Sequence, residues 1–160
     1  MSDPHVLEPG TAPTPFTADE IRAGCPDGRT ITLLVEPAEG PSWQRVNRFV
    51  APDEDGATMQ RWRIGTDGRR DGEIEEGRTT WLQLQGHASF PVSAVTVTPD
   101  TVELPLGTVD ALRYAVDDGA GGGVATFWFA PGFPGMPVRY ETPAEGGGTD
   151  RTTMVSDELP

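Results

Sequence analysis

The sequence predicts a mainly β protein: an antiparallel meander forming a strongly curved sheet, half-barrel or barrel, with one short N-terminal helix. Three observations lead there. Apolar residues recur with period 2 in short runs along most of the chain. The 160 residues include Gly 20 and Pro 16, enough to punctuate those runs at hairpin spacing. A capping motif close to the N-terminus marks the helix.

Residues 1–15 contain four prolines and little periodicity, and read as a flexible N-terminal arm; residues 16–160 read as one β domain. Thr17-Ala18-Asp19-Glu20 is a capping box, in which the Thr17 hydroxyl accepts from the Glu20 amide and the Glu20 side chain reaches back. Phe16 and Ile21 form the matching hydrophobic staple, and Gly24 reads as a left-handed stop. The resulting helix over 18–23 is too short to persist alone, so Phe16, Ile21 and Cys25 must dock on apolar surface.

From Arg29 the pattern alternates. Ile31, Leu33 and Val35 share one face of a strand; Leu112, Tyr114 and Val116 share another, as do Val138 and Tyr140. Thr80, Leu82 and Leu84 set against Trp81, Gln83 and Gln85 read as a further strand. Val124–Ala130 is apolar on both faces, the mark of a strand covered on both sides. Strands near 43–50 and 57–64 alternate less cleanly. Gly40-Pro41, Asp53–Gly56, Asp67-Gly68, Asp71-Gly72, Asp117–Gly123, Pro131–Gly135 and Glu145–Gly148 supply turns. The spacing gives about eight to ten strands in a meander.

Composition excludes several chemistries. Formal net charge is -13, and all 12 basic residues are arginine, so Schiff-base chemistry and a P-loop lysine are ruled out. The acidic balance repels nucleic-acid backbones. One cysteine permits no internal disulfide, and with two histidines it cannot complete a closed zinc site of the common Cys/His classes. No run is apolar enough to span a bilayer, and the first residues carry no secretory pattern, so the expected location is cytoplasmic. No cofactor is indicated.

The run Leu106-Gly107 to Arg113-Tyr114, then Phe127-Trp-Phe-Ala-Pro-Gly132, then Pro134-Gly-Met-Pro-Val-Arg139-Tyr-Glu141 has a recognisable cadence. Over residues 106–141 it resembles bacterial half-barrel families of unknown function related to the lipoprotein-carrier fold. The resemblance implies a curved antiparallel sheet with a helix in or near its concavity, and it transfers no functional residue.

The candidate site is a polar stripe, Trp81, Gln83, Gln85, His87 and Ser89, placed on one face if a strand runs through Gly86. Arg113 and Arg139 lie on expected neighbouring strands, and Trp128 and Met136 flank the turn beyond them. Trp81, His87, Arg113, Trp128, Met136 and Arg139 are therefore the expected ligand-binding residues. The competing account is the wet face of a half-buried sheet. His87 and Ser89, two apart on a strand, stand roughly 7 Å apart and cannot form a nucleophile–base pair. The acidic clusters at 53–55, 67–76 and 117–118 lack the spacing of a calcium loop and read as turn chemistry. Cys25, at a helix C-terminus, reads as a buried inert thiol. The functional expectation is a non-enzymatic binding or interaction domain, holding a small amphipathic ligand or a protein partner on the curved face. The alternative is a metal-independent hydrolase or isomerase using His87 with a carboxylate. Oligomeric state is left open.

Overall fold

The computed structural model describes residues 3–117, 119 and 121–160, so Asp118 and Ala120, in the expected 117–123 turn and its acidic pair, lie outside the described residues. Among the described residues nine strands form one antiparallel sheet with two short helices, α1 (Ala18–Gly24) and α2 (Trp81–Gly86). The strands are β1 (Thr30–Glu36), β2 (Trp43–Val50), β3 (Gly56–Ile64), β4 (Arg70–Thr80), β5 (Val95–Leu104), β6 (Gly107–Val116), β7 (Ala125–Phe129), β8 (Arg139–Pro143) and β9 (Thr149–Glu158).

Their order, β4-β3-β2-β1-β9-β8-β7-β6-β5, is two hairpin ladders joined edge to edge by β1 and β9. The sheet is open, with β4 and β5 as its edges. β4 protects its edge by being polar and exposed along almost its whole length, and β5 carries Pro99, a residue that only an edge strand tolerates well.

Helix α1 forms as its capping box directs. Thr17 Oγ1 accepts from Glu20 N at 3.1 Å, and Glu20 Oε1 accepts from Thr17 N at 3.0 Å. Ile21 is buried, and Phe16 meets Phe129 edge-on at 6.4 Å. The left-handed stop expected at Gly24 is not what ends the helix: Gly24 is not among the positive-φ glycines. Its missing side chain serves close approach, since a Cβ there would stand 2.1 Å from Pro134 Cγ.

The strand expected over 80–89 is instead helix α2. Thr80 and Gln83 form a second capping box, with Thr80 Oγ1 accepting from Gln83 N at 3.0 Å and Gln83 Oε1 from Thr80 N at 2.9 Å. Trp81, Leu84, Gln85 and Ala88 are all buried, at the i, i+3, i+4, i+7 spacing of a helix face rather than the period 2 of a strand. Gln85 ties the region together. Its Nε2 donates to Pro4 O at 2.9 Å and Thr14 Oγ1 at 3.0 Å, and its Oε1 accepts from Ala18 N at 2.9 Å. Residues near the N-terminus lie against the fold at further points: Ala12 N donates to Phe90 O, and the Tyr114 hydroxyl to Pro13 O.

Below α1, the Arg29 guanidinium is 1% exposed and held by Asp157 in two parallel bonds of 2.9 and 2.7 Å. Its Nη1 also donates to Pro134 O at 2.6 Å and to Gly24 O at 3.1 Å. One side chain thereby pins α1, the 131–137 turn and the β1–β9 seam. Cys25 Sγ accepts from the same nitrogen at 3.2 Å; burial pushes the thiol pKa up, against the pull of Arg29, which leaves it a poor nucleophile.

Candidate functional site

Two stretches of the sheet far apart in strand order face one cleft. Its walls include Asn47 of β2, Met59 and Arg61 of β3, and Phe127 and Phe129 of β7. β3 and β7 stand five strands apart, about 24 Å in a flat sheet. Both can line a cleft of about 420 Å³ only because the sheet curls around it. The C-terminal end of α2 (Leu84, His87, Ala88) and the 135–137 turn complete the rim, so the helix covers only part of the concavity.

The walls differ in kind. One is aromatic: Phe127 stacks on Phe90 at 5.6 Å and on Tyr140 at 6.0 Å, and Phe129 meets Tyr114 edge-on at 5.2 Å. Burial pushes the Tyr114 phenol up to about 12, so it stays neutral under ordinary conditions. The other wall carries Arg45, Asn47 and Arg61. Arg45 reaches Tyr140 Oη with Nη2 at a long 3.4 Å, while its Nε is buried without a partner. Asn47 is 2% exposed, and its Oδ1 likewise has no hydrogen-bond partner. Arg78, also on the rim, is by contrast held by Asp53 and by two backbone carbonyls. Arg61 makes no ion pair with a described residue, although Glu75 stands in register across from it on β4. A larger hollow, about 720 Å³, opens near the β3–β4 turn. Two neighbouring hairpins and the adjacent part of β1 line it, and it contains no buried polar atom left unpartnered, so it is the weaker candidate.

The six expected site residues are divided. His87 and Met136 line the cleft. Trp81 is 2% exposed in the core, with Nε1 donating to Asp53 O at 2.9 Å, and does not line it. Arg113, Trp128 and Arg139 are Cα partners in one row across β6, β7 and β8. Because Phe127 and Phe129 face the cleft, Trp128 between them faces away, and the row lies on the opposite side of the sheet. There Trp128 Nε1 donates to Asp100 Oδ2 at 2.9 Å, and Arg139 Nη2 to Glu103 O at 3.0 Å. The Trp128 bond is the main cause of the lowered Asp100 pKa, followed by the Thr101 amide.

Arg45, Asn47 and Arg61 were not singled out by sequence, yet a signal existed. Along one face β2 reads Arg45, Asn47, Phe49 and β3 reads Ala57, Met59, Arg61. The Asp53–Gly56 turn fixes their pairing, with Asn47 opposite Arg61 and Phe49 opposite Met59. A face that changes from apolar to basic at matched positions on two paired strands marks the mouth of a cleft.

Among the described residues no carboxylate makes a hydrogen bond or ion pair with His87, none lines this cleft, and no cluster of three His, Cys, Asp or Glu could hold a metal ion. The His87–carboxylate arrangement required by the hydrolase alternative is therefore not found. No helix of the described residues is long and apolar enough to cross a membrane.

No protein-family model and no curated protein matches this sequence. Solved structures match its fold. A protein of Bacteroides fragilis NCTC 9343 with a YmcC-like fold, thought to be exported, aligns with TM-score 0.51 and 12% identity over 84% of this chain and 97% of that one. MucB aligns with TM-score 0.56 and 11% identity over 87% of this chain and 55% of its own, and has also been solved in complex with MucA(peri). A protein of Parabacteroides distasonis ATCC 8503 thought to be a lipoprotein gives TM-score 0.50 and 9% identity over 83% of this chain and 96% of that one. The chain spans about half the length of MucB. At such identities the likeness is one of fold, and it agrees with the half-barrel resemblance of residues 106–141 at that level.

These neighbours correct the expected cytoplasmic location. One is thought to be exported and another a lipoprotein, so a cytoplasmic location is not supported. The expectation rested on the lack of a leader pattern, and that lack is no evidence of compartment.

Proposed function

We propose that this protein is an extracytoplasmic, non-enzymatic binding domain that holds a small amphipathic ligand in the cleft of its curved sheet. The observation that carries this is the pairing of an aromatic wall with buried polar atoms that lack partners, in a space of about 420 Å³. Buried polar groups without partners are costly, and a cleft that keeps them is suited to a ligand that supplies the partner. His87 and Met136 belong to this site. Arg113, Trp128 and Arg139 would serve a ligand only on the far face, and Trp81 supports the helix that rims the cleft.

The test is displacement of an apolar probe dye from the native protein by amphiphiles, read alongside a native mass spectrum. Dye binding that amphiphiles abolish supports the reading; a folded protein that binds neither dye nor amphiphile sinks it. A second reading, capture of a protein partner, is supported by MucB, a fold neighbour solved in complex with MucA(peri). It predicts a heteromeric mass in the spectrum of protein taken from its native host, in place of a small-molecule adduct.

A further inference from the structure

The polar wall of the cleft has a composition that narrows the ligand. Asn47 and Arg61 are Cα partners on β2 and β3, and Arg45 lies two residues from Asn47 on the same face. Three polar side chains thus stand side by side on one wall of a cleft whose opposite wall is aromatic. Two are guanidiniums without a paired carboxylate among the described residues, on a protein whose net charge is -13. The third offers a buried amide oxygen that accepts from nothing.

Each requirement excludes a class of occupant. A cationic head is repelled by Arg45 and Arg61. A neutral alcohol brings no counter-charge to either guanidinium. A simple fatty carboxylate satisfies the planar N–H forks but brings no donor for Asn47 Oδ1. The set is completed by an anion that carries an N–H next to it.

We propose that the cleft binds a single-chain amphiphile whose head joins a carboxylate to a neighbouring N–H, as in an N-acyl amino acid. Arg45 and Arg61 take the carboxylate, Asn47 Oδ1 accepts from the amide N–H, and the acyl chain lies on Phe127, Phe129 and Met136. This rests on the reading of the cleft as a ligand site.

The experiment compares four probes of one chain length by dye displacement on the full chain: N-lauroylglycine, N-lauroylsarcosine, laurate and dodecanol. N-Lauroylsarcosine keeps the charge and the chain but replaces the N–H by N–CH₃. N-Lauroylglycine is expected to bind about tenfold or more tighter than dodecanol, and roughly fivefold tighter than the sarcosine analogue or laurate, since a site built around a hydrogen bond rejects ligands lacking it. Arg61→Gln, at an exposed position that leaves folding intact, should shrink the preference over dodecanol. Asn47→Leu should abolish the glycine–sarcosine difference while holding or raising the Tm, because it removes an orphaned buried acceptor. Equal binding of all four probes would overturn this head-group assignment and leave the amphipathic-ligand reading standing; binding of none would overturn both. A lowered Tm for Asn47→Leu with the glycine–sarcosine difference unchanged would make Asn47 a packing residue and also overturn the assignment.

Discussion

The two wings of the sheet, β1–β4 and β5–β9, share a hairpin-ladder topology and little else. The first wing concentrates charge: β2, β3 and β4 hold six of the twelve arginines. Two of them stack on tryptophans, Arg63 over Trp43 at 4.0 Å and Arg48 over Trp62 at 5.0 Å, which covers the ring faces without burying them deeply. The second wing concentrates aromatic rings, with Tyr114, Phe127, Phe129 and Tyr140 in successive contact. Stability is therefore expected to reside in the second wing and the seam, and electrostatic selectivity in the first. The cleft lies where the two meet.

The sharpest way to break this comparison is mutation of the two wings in parallel. Phe129→Ala, 6% exposed and in contact with three rings, should destabilise by about 3–5 kcal/mol in denaturant melts. Glu73→Ala on exposed β4 should stay within about 0.5 kcal/mol. Similar losses from both would show that the wings are not specialised. At the seam, Asp157→Ala leaves the Arg29 guanidinium buried and unpaired, and should cost roughly 3–5 kcal/mol by the same measurement.

Next in size are the caps. Thr17→Ala and Thr80→Ala each remove a side-chain acceptor at a helix N-terminus, and each should cost about 0.5–2 kcal/mol. A negligible effect at Thr80 with a normal one at Thr17 would mean that α2, unlike α1, is not docked.

The smallest effect is acid sensitivity, and it too separates the wings. Asp53 in the first is held below its ordinary 3.8 by the Gly56 and Asp55 amides and then by Arg78; Asp100 in the second is held below the same value by Trp128 first. For a depressed carboxylate the stabilisation is fully present above the unfolded-state value and is lost as pH falls through the folded-state value. Both groups should therefore be more than half ionised at pH 3.8 and reach their midpoints below it, as carboxyl chemical shifts would record. Trp128→Phe should raise the Asp100 midpoint and leave that of Asp53 unchanged.

Much of the second wing was legible because burial and periodicity coincide there. Tyr114, the Phe127–Phe129 alternation and Val138 mark strands packed on a core. The first wing's outer strand was not, because an exposed edge strand has no apolar face to display: Arg70–Thr80 is acidic and glycine-containing and reads as turns. β9 is a central strand, but two of its three buried residues are Thr152 and Thr153, so burial there leaves no apolar alternation to read, and Pro99 masked β5. Helix α2 was misread although its signal was present. Thr80 and Gln83 have the spacing of Thr17 and Glu20, but two turns of any amphipathic helix are short enough to be parsed as alternation. The cleft's basic wall was hidden because single arginines carry no meaning until strand pairing brings them together. Arg45 and Arg61 are sixteen positions apart in sequence and neighbours only across the β2–β3 ladder.

The seam has a consequence for how the chain reaches its native state. Every other strand pairing joins neighbours in sequence, whereas Arg29 and Asp157, at the end of the β1–β9 pairing, are 128 residues apart. Closing so long a loop is slow compared with forming local hairpins. Each wing can therefore assemble as a ladder before the two join, and until they do β1 and β9 are raw edges, free to pair with the matching strand of another molecule. An Asp157→Ala chain should accordingly unfold faster while refolding at an unchanged rate in stopped-flow measurements. At high concentration during refolding it should also yield more exchanged dimer, joined through the same β1–β9 register, because the salt bridge that rewards closure within one molecule is gone.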